Sequence, residues 1–261
     1  MWRFADKVAV VTGGASGIGA ATARELAAEG ARVAILDVDA DGGRRVAGEL
    51  EGAEALTLDV SDRDACRRAL EDVAKRWRRI DCLVNGAASF VAKGLDATTE
   101  DWERSLGVNV RGYANMVQAC AAHMAPGSAI VNVASISAHV AQPDRWTYNA
   151  SKGAIVALSK CQALDLSSRG IRVNVVSPGW IWTPEVDKAA GGERDRWGAV
   201  WGDFHMLRRL GEPREVARAI LFLCSDDASF VTAAELMVDG GYSGMSAEGL
   251  GERSQFAGGA S

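Results

Sequence analysis

A tyrosine and a lysine four residues apart, Tyr148 and Lys152 in the run Tyr-Asn-Ala-Ser-Lys, are the pair in this chain best suited to move a proton. On a helix that spacing puts both side chains on one face. An ammonium near a phenol favours the phenolate, so Lys152 is expected to pull the Tyr148 pKa down from about 10. Tyr148 is then a candidate general acid/base. The competing explanation is a helix face with a snorkelling lysine, the commoner origin of such a pair. Ser135, upstream of the pair, changes the odds, and so does a glycine-rich turn near the N-terminus.

That turn is the second place where chemistry is legible. Val8 to Val11 is a short apolar, β-branched run, as expected of a buried parallel strand. Thr12-Gly13-Gly14-Ala15-Ser16-Gly17-Ile18-Gly19 follows at once, and Ala20 to Glu29 then has helical composition and stops at Gly30. Strand, glycine turn and helix form the context a dinucleotide fingerprint needs. The glycines let the backbone approach a pyrophosphate, and the helix N-terminus offers oriented N–H groups and a positive dipole end. A second strand, Arg32 to Leu36, ends at Asp37. An acid about 20 residues past the fingerprint is placed to bind the adenosine ribose hydroxyls. Its charge repels a 2′-phosphate, and neither Ser16 nor Val38 is a cation, so NAD is the expected cofactor. The bland alternative is that Asp37 only opens a loop containing Asp39 and Asp41.

The remaining elements frame these two clusters. Strands are expected at Ala55 to Leu58, Asp81 to Val84, Ala129 to Val133, Ile171 to Val176 and Leu236 to Val238. Helices are expected at Ser61 to Trp77, Glu100 to Met124, Tyr148 to about Arg169, and Glu215 to Cys224. The alternation predicts an α/β fold with one doubly wound parallel sheet of about seven strands and helices on both faces. Ligands then bind beyond the carboxyl ends of the strands, where Thr12, Asp37, Asp59 and Asn85 fall. Asn109 stands inside a helix in apolar company, a poor position for asparagine unless it has a task. Residues 180–210 lose periodicity and carry Trp180, Trp182, Trp197 and Trp201, which suggests a substrate lid or, equally, a small satellite core. The tail from about 243 to 261 is rich in Gly and Ser and expected to be flexible. The whole chain, 1–261, is expected to be one domain.

Composition narrows the classes of function. A chain of 261 residues with 48% hydrophobic content can bury a large core. A net charge of -5 argues against a nucleic-acid partner held by phosphate contacts. No apolar run reaches membrane-spanning length, and the N-terminal Met-Trp-Arg-Phe-Ala-Asp-Lys does not read as a signal peptide. Five scattered cysteines and three unclustered histidines fit a reduced, cytoplasmic protein with no structural metal.

In order and spacing the motifs resemble the short-chain dehydrogenase/reductase family, up to about Tyr242. They are Thr12 to Gly19, Asp59-Val60, Asn109, Ser135, Tyr148-x-x-x-Lys152, Pro178-Gly179-x-Ile181-x-Thr183 and Asp239-Gly240-Gly241. The resemblance implies that Tyr148 exchanges a proton with the alcohol or carbonyl oxygen, while Lys152 lowers its pKa and holds the nicotinamide ribose. It implies that Ser135 steadies the substrate oxygen and that Asn109 holds a water in a proton relay. Gly13, Gly17 and Gly19 would line the pyrophosphate beside Thr12, Ser16 and Ile18. Asp37 would take the ribose, Asp59 and Val60 the adenine, and Ile181 and Thr183 the carboxamide end. Asn85 is also expected to face the cofactor. Two departures stand out: Asn85 is followed by Gly86-Ala87-Ala88 instead of Asn-Ala-Gly, and Ala233 stands where a glycine is usual.

The resulting expectation is an NAD-dependent oxidoreductase acting on a secondary alcohol or ketone, assembled as a homotetramer. Ser137, Arg145, Trp180 and Trp182 are the candidate substrate contacts, and a small polar alcohol such as a sugar, polyol or hydroxy acid is the expected substrate. The alternatives are a 3-oxoacyl thioester reductase on the same scaffold and, more remotely, a non-catalytic NAD-binding redox sensor.

Overall fold

The structure, a computed structural model, describes residues 2–246 and 249–250. Seven strands form one parallel sheet in the order β3-β2-β1-β4-β5-β6-β7. They are β1 (Val8–Thr12), β2 (Arg32–Asp37), β3 (Ala53–Thr57), β4 (Ile80–Asn85), β5 (Met124–Val133), β6 (Arg172–Pro178) and β7 (Glu235–Val238). Every residue of β1 and β4 is buried, as expected for central parallel strands covered on both faces. The strand order reverses between β1 and β4, which opens a crevice at their carboxyl ends. Ile130 of β5 is paired on both sides, with Leu83 of β4 and Val173 of β6.

Two apolar layers hold helices to the two faces of this sheet. On one, α1 (Gly17–Ala28) and α9 (Pro213–Cys224) bring Leu26, Ile220 and Leu221 against Val11, Ile35 and Val131. On the other, α3 (Arg63–Trp77), α5 (Gly112–Ala121) and α6 (Trp146–Ser167) bring Leu70, Met116 and Leu166 against Val10, Leu83 and Ile130. Alternate residues of each strand thus feed opposite layers.

The elements differ from the sequence expectation in three places. α2 (Ala40–Gly48) was not anticipated, because its two inner glycines disguise it. Asp39 caps it by accepting from the Gly42 amide at 3.0 Å, and both glycines are buried where a side chain at 42 would meet that same carboxylate. The expected helix from Glu100 to Met124 is three pieces: α4 (Thr99–Leu106), a π-helical turn over Gly107–Arg111, and α5. A π-turn inserts one residue into the ladder, and here it carries Asn109, which accounts for an asparagine in that position. Met124 belongs to β5 instead of the helix, since β5 starts five residues before Ala129.

Residues 180–210 hold α7 (Pro184–Ala189) and α8 (Arg194–Gly202). Trp182, Ala190 and Leu210 form a satellite core there, with Trp180, Trp197 and Trp201 packed on it. Of the expected flexible tail, Ser243 is fixed by two hydrogen bonds to the Asp239 carboxylate. Residues 247–248 and 251–261 lie outside the described residues.

Candidate active site

The carboxyl ends of the strands surround a cleft of about 1200 Å³. At one end stands the glycine turn. Gly13 has φ +69°, and a Cβ on Gly19 would lie 2.1 Å from the Gly13 carbonyl oxygen, so the turn closes only with glycine at 19. Ser16 occupies the α1 N-cap without a side-chain capping bond, which leaves its hydroxyl facing the cleft. Gly17 faces the Thr183 methyl, and Thr183 caps α7 by accepting from the Val186 amide. Oriented amides, a helix N-terminus and a floor with no room for side chains fit the pyrophosphate of a dinucleotide.

Asp37 ends β2, where its Oδ2 accepts from the Ala15 amide and its Oδ1 from the Asp39 amide, both at 3.0 Å. These bonds aim the carboxylate into the cleft beside the exposed Val38. Asp59 is held by the Ser61 amide and hydroxyl, and lines the wall with Leu58, Val60 and Val108. Pro178, Gly179, Ile181 and Thr183 line the opposite lip; Gly179 lies so close to Asp239 that a Cβ would meet its backbone at 2.8 Å.

Thr12 and Asn85 do not line the cleft, contrary to the sequence expectation. The Thr12 hydroxyl accepts from the Gly86 and Ala87 amides at 3.1 and 3.2 Å, so it pins the loop that the cleft wall needs. A Cβ on Gly86 would meet the Thr12 carbonyl oxygen at 2.9 Å, which explains why glycine follows Asn85. Asn85 donates to Asn132, and Asn132 to Ser159 and Gln162, in a buried polar chain between sheet and α6. Asn109 is likewise fully buried and behind the wall. Its amide bridges the Ser89 backbone and the Ser151 hydroxyl, so both amide hydrogens are used in tying the β4 loop to α6.

At the other end of the cleft, Ser135, Tyr148 and Lys152 converge. Ser135 follows β5, and its hydroxyl accepts from the Ser137 amide and donates to the Ser137 hydroxyl, close enough to the Tyr148 phenol to favour its ionised form. The Lys152 ammonium donates to the Val133 carbonyl at 2.8 Å and lies 5.5 Å from the Tyr148 ring centre. Burial pushes the Lys152 pKa down to about 7. Burial also pushes the Tyr148 phenol up, against the opposing effects of the Ser135 hydrogen bond and the Arg145 charge. This corrects the expectation of a lowered phenol pKa governed by Lys152: in the protein alone, desolvation outweighs the cations, and Arg145 is the one that acts on Tyr148.

Of the expected substrate contacts, Ser137, Arg145 and Trp180 line this end, and Trp182 does not. Trp182 is buried in the satellite core, with the Arg194 guanidinium 4.9 Å from its ring. His139 pairs with Glu235 outside the cleft. Sequence reasoning missed Phe90, whose ring meets Tyr148 edge-on at 4.9 Å, and the cations Arg104 and Arg111 on the α4–α5 wall, whereas Trp201 of the expected lid does line the cleft. Arg104, Gly107, Val108 and Arg111 share one helical face, a spacing that was readable in the sequence.

Residues 13–243 match the family described as enoyl-(acyl carrier protein) reductase. Among curated relatives, D-threitol dehydrogenase of Mycolicibacterium smegmatis is 39% identical over 92% of this chain and 94% of its own. The 3-oxoacyl-[acyl-carrier-protein] reductase of Thermotoga maritima is 37% identical over 92% and 98%, and the NADP-dependent (R)-specific alcohol dehydrogenase of Lentilactobacillus kefiri 36% over 92% and 98%. The solved aldohexose dehydrogenase of Thermoplasma acidophilum, in ligand-free form, superposes with a TM-score of 0.87 at 32% identity, covering 94% of this chain and 97% of that one. Relatives of this similarity, matched over nearly their full length and sharing one α/β architecture, identify the chain as a member of the short-chain dehydrogenase/reductase family, a hydride-transferring alcohol oxidoreductase that uses a nicotinamide dinucleotide.

Proposed function

We propose that this protein is an NAD-dependent dehydrogenase of a small polar secondary alcohol, such as a sugar, polyol or hydroxy acid. The observation that carries the reading is one cleft with the glycine turn and Asp37 at one end and the Ser135–Tyr148–Lys152 cluster at the other. The nicotinamide, when bound, takes up the carbinol hydride in oxidation or returns it in reduction. Tyr148 receives the hydroxyl proton as the alcohol becomes a ketone, and gives it back in the reverse direction. Ser135 orients the substrate oxygen. Lys152 steadies Tyr148 and the nicotinamide ribose. Asn109 is a positioning residue, acting through Ser89 and Ser151. The preference for NAD rests on Asp37 beside the apolar Val38, a pair that disfavours a 2′-phosphate. Residues 180–210 act as the lid over the substrate end.

The sugar and polyol class draws support from the relatives named for threitol and aldohexose. A second reading, reduction of a 3-oxoacyl thioester, draws support from the Thermotoga relative and from Arg104 and Arg111, which line the cleft with no ion-pair partner among the described residues. Arg208 and Arg209, between α8 and α9, are paired with Asp203 and Glu215. A homotetramer is supported by apolar side chains left exposed on α4 and α6 (Leu106, Leu164), on the edge strand β7 (Leu236) and before it (Phe230). The cysteines are all free, consistent with a reduced, cytoplasmic location.

The test is NADH or NADPH absorbance in both directions with polyols, sugars, hydroxy acids and a short 3-oxoacyl thioester, together with Tyr148→Phe. Turnover of polar alcohols with NAD is expected. Tyr148→Phe should lower it by about 10²-fold or more while cofactor affinity changes less than roughly threefold. Thioester reduction with no oxidation of any polar alcohol would replace this reading by the second, and a lower dissociation constant for NADPH than for NADH would overturn the NAD assignment.

A further inference from the structure

We infer that Arg145 is a carboxylate-recognition residue, so that within the class of polar alcohols proposed above the preferred substrate is a short hydroxy acid, oxidised to the corresponding oxo acid. The inference rests on that alcohol-dehydrogenase reading and narrows it. Arg145 stands at the N-cap of α6, three residues before Tyr148, a spacing that puts the two side chains on one side of the helix start. Its guanidinium lies between two aromatic rings, 5.3 Å from the centre of Phe90 and 5.3 Å from that of Trp180. Two π faces hold a planar cation in one orientation and offset part of the cost of removing it from water.

The charge between those rings is not neutralised by the protein. One N–H donates to the Gln142 amide oxygen at 3.1 Å, and Gln142 in turn accepts from Ser137 at 2.6 Å. No carboxylate among the described residues pairs with Arg145. The neighbouring Asp144, held at φ +53°, turns its carboxylate toward Gly94. The side chains that contact the guanidinium are Gln142, Phe90 and Trp180, none acidic, and the carboxylates that line the cleft, Asp37, Asp59, Glu103 and Glu185, form no ion pair with it. A half-buried guanidinium with most of its donors unspent is best matched by a planar, bidentate anion. A carboxylate has that shape, and a neutral hydroxyl takes up none of the charge. Arg145 and Tyr148 both pack on the Phe90 ring, at 5.3 and 4.9 Å from its centre, so a carboxylate held by the guanidinium leaves the carbinol of a short hydroxy acid on the Ser135 and Tyr148 side of the cleft. In the reaction the carboxylate is unchanged: the carbinol loses a hydride to the nicotinamide and a proton to Tyr148.

The experiment compares acids with neutral partners of the same skeleton: 2-hydroxybutyrate with 1,2-butanediol, and 3-hydroxybutyrate with 1,3-butanediol. Binding to the NADH-loaded enzyme is measured by calorimetry, where neither can react, and NAD-linked oxidation is measured separately. At least one acid should bind roughly 10- to 100-fold more tightly than its diol. Arg145→Gln should remove that difference by weakening the acid far more than the diol, with an unchanged unfolding midpoint showing that the variant is folded, and Arg145→Lys should keep only part of it. Equal binding of acid and diol, or equal weakening of both in Arg145→Gln, would overturn the inference even if the diols are oxidised. Arg145-dependent acid binding with no oxidation of either acid would overturn the hydroxy-acid assignment and leave Arg145 as an anion site, while the alcohol-dehydrogenase reading stands or falls separately with the sugar and polyol screen above.

Discussion

Lys152 shows how a single buried charge links stability to function. Its side chain is almost wholly enclosed and its main partner is a carbonyl, so burial lowers its pKa to about 7. In the unfolded chain a lysine titrates near about 10.4. Between about pH 7 and 10 the unfolded state therefore binds more protons than the folded one, and stability rises with pH. Below about pH 7 both states are protonated and the full cost of the buried ammonium is present. Lys152→Met should accordingly gain most relative to wild type near about pH 6, with the difference shrinking toward about pH 9.5. Thermal unfolding of the cofactor-free proteins across that range measures it, and a difference that grows with pH would contradict the lowered pKa. Burial likewise raises the Tyr148 pKa, which favours the phenol form that carbonyl reduction uses.

Turns and element ends decide where these residues meet. The π-turn over Gly107–Arg111 lets Asn109 reach Ser89 and Ser151 at once, which a regular helix would not arrange. Ala233 is an element end that carries a cost. It sits at φ +57°, in the left-handed region, while its amide bonds to the Val173 carbonyl to start the β6–β7 pairing. Alanine pays about 1–2 kcal/mol for that conformation, partly offset by the smaller entropy it loses on folding. Ala233→Gly should therefore stabilise the protein by roughly 0.5–1 kcal/mol, seen as a higher urea midpoint with an unchanged slope. A lower midpoint would mean that the turn is not strained.

For the whole molecule, one sheet carries both halves of the cleft, with the cofactor end on β1, β2 and β3 and the chemical end on β5 and α6. Its two edges, β3 and β7, are each paired on one side only. β7 itself carries the exposed Leu236, Phe230 stands exposed before it, and α6 presents Leu164 to solvent. Exposed apolar side chains on an edge and on a long helix favour association with further copies. Sedimentation at micromolar concentration should give a tetramer; a monomer there would refute the assembly proposed above.

The sequence alone determined the parallel sheet, the glycine turn and the Tyr148–Lys152 pair, because each rests on local rules, while Ser135 joined that pair through the family resemblance. Apolar β-branched runs read as buried strands, glycines mark close approaches, and a spacing of four fixes a helix face. Residue types that are locally ambiguous were left to the tertiary structure. Gly42 and Gly43 hid α2 because their reason for being small is packing on Asp39, Ala15 and Ala55 from other segments. Thr12, Asn85 and Asn109 read as cleft residues, yet their side chains point behind the wall and build it. Four tryptophans in one stretch could equally line a site or fill a core, and only packing separated Trp180 from Trp182. The direction of the Tyr148 shift was likewise out of reach, because desolvation depends on every segment folded around the phenol, whereas a spacing of four reports only its nearest charge.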